Sequence, residues 1–587
     1  VSTIQRKALK RILLCNSLFS VSIFCLCSQV NAQEHQAKEY RSLFIEKDQP
    51  TAVFTISSKD ESSVKSFYSA AVNQSYSNEV NQLKYEPSGL VISSITAGKD
   101  IRSISGPDLQ EGETLITDTE LIDKDWWGAL IEISTVLVIG EVLYLTSEES
   151  MEGDFDYEIE GNAGQYFADR IVTTDAWKLD DNKVGMNWGH TYAGALYYQA
   201  FRNYNFNYYE SLAGNFIASA VWEVFAEYKE VVSVNDQIVT TFGGAVLGES
   251  LFQISEMLDS KQGWVPTAFS SVFNPAKTIK GWFGYDNPQR FNRTYAKDMF
   301  NIYTGAMYSS KKQADISTTS LILGLEASID SVQGKYDALS ATPSQVDLNM
   351  ELGISNEGIE DWQMDSSIFL GGWTSDVNTI LDSENRRQTW FIGPSMGLEY
   401  SSLGQDEEED FYAAINVIGV SAGTQWFVDD VSISIRGDLF GDFSMVKPFA
   451  TKDYRQNGGH FWGTKSVLWE GGYGYALGHT AKLALEANYK ELLLGVKFQS
   501  QRWDSIDDNE FNRSSDWNPN VSDLDFKDAR DRYEVYLDVP LTNIMSISIH
   551  HERIDRSGTL TGIENLAIAN RNDETESRSS IHFTYQY

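Results

Sequence analysis

The final seven residues, Ile581-His582-Phe583-Thr584-Tyr585-Gln586-Tyr587, alternate apolar and polar side chains without a break. Ile581, Phe583, Tyr585 and Tyr587 share one face, and His582, Thr584 and Gln586 share the other. A strand with lipid on one side and a wet or packed lumen on the other needs this period of two. Segments of the same kind recur at 299–309, 320–329, 346–354, 368–374, 389–400, 412–421 and 431–440, then at 466–476, 481–489, 492–503, 533–539 and 544–551. With the tail these make thirteen candidates. Bacterial barrels use even counts, so the pattern predicts about twelve strands, with one candidate spurious. The linkers differ in character: Leu477-Gly478-His479-Thr480 reads as a short turn, and 405–410 and 504–531 read as acidic loops. The expected fold class is α+β, with a transmembrane antiparallel β-barrel over 291–587 preceded by an α-helical module over 125–290.

Upstream the period changes. Residues 126–145 form a largely apolar run of twenty, long enough by length alone to cross a bilayer, but Glu132 and Glu141 interrupt it. Charges facing lipid are expensive, so a helix buried against protein is expected, with the two carboxylates on opposite faces. In a second helical stretch Ser211, Asn215, Ser219, Glu223 and Glu227 recur every four residues and form one polar stripe, which Glu230 extends. A solvated face is the bland reading of such a stripe. Its small, uncharged half suits a helix contact better, and its gathered carboxylates repel unless they are neutralised or bind a cation. Ser233 and Asp236 read as a helix start, and Gly244 and Gly248 offer a flat surface for another helix. Residues 33–124 are polar and weakly patterned, with short strands expected near 50–57 and 89–94.

The first 32 residues read as a signal peptide: Arg6, Lys7, Lys10 and Arg11, then an apolar run, then Val30-Asn31-Ala32 before a cleavage site. All three cysteines lie inside this segment. Its removal would take away four bases and no acid, moving the formal charge from −37 to −41. A mature chain without thiols has no disulfide framework, zinc-thiolate site or cysteine nucleophile. Such acidity argues against nucleic acid as a partner. Aromatics at 13% argue against disorder.

An aromatic terminus after a signal peptide resembles outer-membrane proteins inserted by the barrel-assembly machinery. That likeness implies the Gram-negative outer membrane as the location and its lipid as a partner. A second resemblance lies in the helical module. His190-x-Tyr192-x-Gly194-Ala195-x-Tyr197-Tyr198 is followed by Arg202 and then by Ser219-x-x-Trp222-Glu223-x-x-x-Glu227-x-x-Glu230-x-x-Ser233-x-Asn235-Asp236. Thr240-x-x-Gly243 and Gly248-Glu249 complete the series. Over about 188–275 this is similar to the envelope family named domain of unknown function 3943. His190-Thr191-Tyr192 departs from a more usual His-Pro-Tyr-like step. The family implies location and fold more than activity. A looser likeness to VanZ-like membrane proteins covers few residues.

Three functional readings follow. In the first, the helical module plugs or braces a non-enzymatic barrel with a transport or envelope-organising role. In the second, the protein is a membrane-embedded enzyme acting on lipid or cell-wall material. His190 would then be a base or metal ligand, Glu223, Glu227 and Asp236 acids, bases or ligands, and Arg202, Tyr192, Glu230 and Asn235 binding residues. The enzyme reading expects His190, Glu223 and Asp236 to converge on a cavity. Histidine with carboxylates suits a divalent metal, but no His-Glu-x-x-His or Gly-x-Ser-x-Gly element is present, and the sequence identifies no metal or cofactor. The third reading places binding of cations or a partner on the acidic loops.

Overall fold

The computed structural model describes residues 53–56, 79–86, 89–96, 124–146, 168–173, 176–179, 184–227, 232–261, 263–282, 297–330, 342–356, 358–374, 387–404, 410–451, 473–506, 525–561 and 570–587. Within 23–125, a separate unit, three antiparallel strands pair in the order β1 (Val53–Ile56), β3 (Gly89–Thr96), β2 (Glu79–Glu86). β1 and β3 fall where short strands are expected. β2 does not.

Residues 126–587 form one unit of helices and barrel. Two short parallel strands, β4 (Trp177–Lys178) and β5 (Val232–Ser233), pair beside the helices. The barrel strands are β6 (Lys297–Lys311), β7 (Ile316–Asp330), β8 (Gln345–Ser355) and β9 (Gly358–Phe369), followed, after the short β10 (Trp373–Thr374), by β11 (Arg387–Leu403), β12 (Asp410–Val428), β13 (Val431–Val446), β14 (Gly474–Tyr489), β15 (Leu492–Ser505), β16 (Asp525–Thr542), β17 (Met545–Thr561) and β18 (Asn570–Gln586). β9 pairs with β11 and β18 with β6, so twelve antiparallel strands close on themselves and β10 stands aside. Closure pairs every strand on both sides, the condition for placing a sheet in lipid.

Period two decides the two faces of the wall. Leu483, Leu485, Val535, Ile549 and Phe583 point outward and are exposed, whereas Lys482, Glu486, Glu534, His550 and His582 line the lumen. The ends differ as well. Tight turns at Asp429-Asp430, Lys490-Glu491 and Asn543-Ile544 lie at the end that carries Lys297 and Gln586, and the two longest connections, β13–β14 and β15–β16, leave the opposite end. This loop end holds a packed lumen among the described residues. Arg530 donates to Asp410 (2.7 Å) and Asp528, Arg556 to Asp410 (2.7 Å), and Arg578 to Asp361 (2.9 Å), all buried. The segment 447–451 tucks in beside them: the Phe449 N–H donates to Asp528 (2.8 Å) and the Arg556 guanidinium lies over the Phe449 ring.

Two expected turns become strand. Residues 477–480 run through the middle of β14, where Gly478 brings the chains together, since a Cβ there would sit 2.0 Å from the Arg502 carbonyl oxygen. Residues 525–531 of the expected acidic loop open β16: Asp528 and Arg530 turn into the lumen lattice, whereas Lys527 and Asp531 pair with Asp504 and Arg502 on the other face. The candidate 368–374 takes in only the last two residues of β9 and the short β10, so the body of β9 goes unread. Its outward positions run Trp362, Met364, Ser366, Ile368, and Ser366 meets Ser250 of a helix (2.8 Å) rather than lipid, which breaks the apolar alternation. The candidate at 466–476 lies outside the described residues except for its end, which begins β14.

The helices are α1 (Trp126–Leu145), α2 (Val184–Asn203), α3 (Tyr208–Val221), α4 (Val234–Ile238), α5 (Gly244–Asp259), α6 (Trp264–Phe273) and α7 (Pro275–Trp282). None described is long and apolar enough to cross a membrane. They pack on the outside of the barrel. Phe300, Ile329, Val346, Ile368, Met396 and Ile415, all outward-facing, are buried in one core with Tyr198, Tyr208, Leu247, Leu251 and Ile254. Of the two expected placements, plug or brace, the described helices do not take the first: they lie against the outer wall and not in the lumen. The physical reason is complementarity: the apolar helix faces match the apolar outer wall, whereas the lumen is lined by charges that such helices would strip of water. α1 packs on α2 through Ala129 and Ile133 and exposes Trp127 and Val138. Glu132, half-buried, accepts from Asn203 (3.3 Å), so this carboxylate faces protein as expected.

Close packing within the module depends on Gly194 and Gly244, which face one another. A Cβ on Gly194 would lie 2.0 Å from the Thr240 carbonyl oxygen. Gly194→Ala is expected to destabilise the module by about 1–3 kcal/mol through overpacking. Limited proteolysis of the folded chain should then cut between α2 and α5 in the variant and spare the wild type.

Candidate functional site

α3 begins with a capping box: the Asn207 side chain accepts from the Glu210 N–H, and Glu210 accepts from the Asn207 N–H (both 3.0 Å). Its polar stripe faces inward. Ser211, Asn215, Ser219, Glu223 and Glu227 are all buried, so the solvated-face reading does not hold. Asn215 donates to the Thr240 and Thr241 carbonyls (2.9 and 3.0 Å), fastening α3 to a π-helical turn at Val239–Gly243. After Val221 the helix widens into another π-turn, Trp222–Ala226, which carries Glu223. π-turns are uncommon and frequent at functional sites. This one is held open at its end by Arg170, which donates to the carbonyls of Val224 (3.1 Å), Glu227 (3.0 Å) and Glu223.

Three of the expected residues meet. His190 on α2, Glu223 on the π-turn and Asp236 on α4 each present one ligand atom, and the three atoms lie within 4.8 Å of one another. His190 Nε2 is 3.6 Å from Asp236 Oδ2. Glu223 Oε2 accepts from the Ser233 N–H (3.1 Å), and Ser233 Oγ accepts from the Asp236 N–H (3.1 Å) as the cap of α4. Both carboxylates are fully buried and His190 is nearly so. Two buried carboxylates this close need positive charge or protons between them. An imidazole facing two carboxylates is a donor set that fits a divalent transition metal. Among the described residues this is the one group with that geometry.

Asn235 supports the trio instead of lining it. Its amide donates to Tyr475 Oη on the barrel wall (2.8 Å) and approaches Asp236 Oδ1 (3.4 Å). Glu227 does not join. It caps the π-turn with non-helical angles (φ −86°, ψ 49°), so the four-residue spacing no longer sets its direction. Arg202 is also elsewhere: it forms a two-pronged pair with Glu249 (2.8 and 3.2 Å), which also accepts from Tyr198 (2.7 Å). That pair joins α2 to α5 and leaves the guanidinium committed to structure. Tyr192 points to the surface, and Glu230 lies outside the described residues. Sequence reasoning missed Arg170 and Tyr475. Neither sits in a motif, and Tyr475 is 240 positions from its partner.

Depth along the wall matters to what the site can reach. Leu477 on β14 and Ile418 on β12 are exposed outward residues towards the loop end, and the next outward positions, Tyr475 and Ile415, lie under the module beside Asn235 and Gly243. Trp188, two residues before His190, packs edge-on against Trp362 (4.9 Å) and Tyr400 (5.7 Å). Phe216, Ile217, Val221 and Phe225 stay exposed on the module's far face. The trio therefore stands near the loop-side ends of β12 and β14.

Residues 176–276 match the family described as domain of unknown function (DUF3943). The matched segment contains all three residues of the trio and both π-turns. It also takes in Trp177–Lys178, whose pairing with Val232–Ser233 closes the segment on itself. No curated protein matches the chain. Among solved structures, the chain is similar to the NanC porin (12% identity, 48% of this chain and 98% of that one, TM-score 0.23). It is also similar to the outer membrane phospholipase dimer of Salmonella typhi with bound calcium (10%, 49% and 90%, TM-score 0.24). A third is an outer membrane channel from Pseudomonas putida F1 (8%, 49% and 95%, TM-score 0.25).

Proposed function

We propose that this protein is an outer-membrane barrel that works on its outer wall: the helices brace the wall and hold a divalent-metal centre for acid–base chemistry on a lipid-borne substrate. The observation that carries this reading is the trio itself, three ligand atoms within 4.8 Å on a module whose far face is apolar and exposed. His190, Glu223 and Asp236 would hold the ion. A bound ion would supply an activated water or polarise an ester or phosphoryl oxygen. A substrate anchored in the membrane would reach the site along the exposed face of Phe216, Ile217, Val221 and Phe225. The closed barrel with its apolar band supports the outer membrane as the location. The packed loop end of the lumen supports an envelope role on the wall over free passage through the pore.

The test is turnover of a total outer-membrane lipid extract by the full chain in mixed micelles, followed by mass spectrometry. Wild type supplied with divalent metal should release a defined product. Glu223→Gln should slow this by at least about a hundredfold, since losing a direct ligand should exceed the ten- to hundredfold typical of losing a group that orients one, while the barrel keeps its heat-resistant gel mobility. Product formation at the wild-type rate in Glu223→Gln would refute the reading.

A further inference from the structure

The lumen carries a second, independent feature. Below the packed loop end it encloses a cavity of about 780 Å³ lined by eleven carboxylates against five Lys and Arg side chains. The bases are committed. Lys482 sits between Asp365 (2.6 Å) and Glu399 (2.8 Å), and Arg436 between Asp347 (2.9 Å) and Asp438 (3.2 Å). Arg532 pairs with Glu552, Arg578 with Asp361, and Lys497 faces Glu534 at 3.9 Å. Glu326, Glu351 and Glu486 accept hydrogen bonds from neutral donors, Asn301 (3.3 Å), Tyr303 (3.2 Å), and Tyr536 with Ser434 respectively. They share Lys497 (Glu326 and Glu486) and Arg578 (Glu351) as nearby charges with the carboxylates those bases already pair.

The orphaned atoms in this lining include one donor, Arg578 Nε, and the ring nitrogen His582 Nε2, but three are acceptors. Asn301 Oδ1, Gln345 Oε1 and Asp538 Oδ1 are buried acceptors without a hydrogen-bond donor, and Asn301 is 9% exposed with its amide nitrogen already spent on Glu326. Buried acceptors left without a donor call for N–H groups. The surplus carboxylates call for positive charge. A bare metal ion would satisfy neither, because among the described residues no three of these carboxylates converge as the trio on the module does. Several ammonium groups spaced along a hydrocarbon chain match acceptors distributed over the wall. The methylenes between them would lie on Met299 and Met307, which share the lining.

We propose that the lumen is a binding pocket for a small linear organic polyamine, held by Glu326, Glu351, Glu486 and Asp538 with Asn301 as a neutral acceptor. Nothing in this depends on the metal centre of the module, which lies on the other side of the wall.

Spermidine titrated calorimetrically into the full chain at 150 mM NaCl (a level that screens surface charge) tests it. Wild type should bind about one equivalent. The double variant Glu326→Gln, Glu351→Gln should bind at least about tenfold more weakly, the scale of losing charged contacts in a partly screened site. Asp504→Asn, at an exposed acid on the rim of the barrel, should change nothing. Excess Mg²⁺ should not displace the amine. If the double variant loses its heat-resistant mobility, Asp538→Asn alone replaces it with the same expected direction. The proposal is overturned if wild type does not bind spermidine or if the lumen variants bind as wild type does. It also fails if Asp504→Asn weakens binding as much as they do, or if Mg²⁺ displaces the amine completely.

Discussion

The full chain is expected to bind one divalent cation, and Asp236→Asn to weaken that binding by at least about a hundredfold, measured by equilibrium dialysis and elemental mass spectrometry. The substitution keeps the shape of the side chain and its place at the start of α4, where the Asp236 N–H bonds Ser233 Oγ. It removes the charge that faces His190 Nε2 at 3.6 Å. Losing a direct ligand should exceed the ten- to hundredfold typical of losing a group that orients one. Asn235→Ala, which frees Asp236 from Tyr475, should therefore fall in that smaller range. Zn²⁺ or Mn²⁺ is expected in preference to Ca²⁺, because one ligand is an imidazole and the protein offers three donors where Ca²⁺ takes six to eight oxygens. Equal metal content in wild type and Asp236→Asn would remove the metal centre.

Glu249→Ala should destabilise the module by about 3–5 kcal/mol, because it strands a buried guanidinium. Arg202 is held by both oxygens of Glu249 and donates from Nη1 to the Phe206 carbonyl (2.8 Å), and neither charge reaches solvent. Removing both partners together, as Arg202→Met with Glu249→Leu, should cost far less, since no charge is then left buried alone. Urea midpoints of the two variants, read by proteolysis of the module, separate the outcomes. A single variant as stable as the double would mean that water reaches Arg202.

How far these features were legible varies element by element. β6, β7, β11, β12 and β15 could be read because lipid and lumen impose opposite chemistry on alternate residues. β9 could not, because helices and not lipid cover its outer face, so Ser366 is tolerated where a leucine would be expected. The turn reading at Leu477-Gly478-His479-Thr480 failed for a related reason: Gly478 serves close strand approach, which looks in sequence like flexibility. In the module the four-residue spacing placed Ser211 through Glu223 on one buried face. It overreached at Glu227, where the π-turn ends and the backbone leaves helical angles. Arg202 looked like an anion-binding residue because its partner Glu249 lies on another helix.

The even strand count came from the general rule for such barrels. The sequence by itself determined the two-faced strands of a barrel and the single polar stripe of α3, because each follows from a repeat imposed by the local environment. It also singled out His190, Glu223 and Asp236 as residues that could meet. Only the tertiary structure decided that they do meet, that Glu227 and Arg202 stand apart, and that the helices lie on the outer wall and not in the pore. Periodicity assigns a residue to a face, but the neighbour of that face is chosen by packing between segments far apart in the chain. Here the apolar helix faces found the apolar side of the barrel, and the charged lumen stayed clear of the described helices.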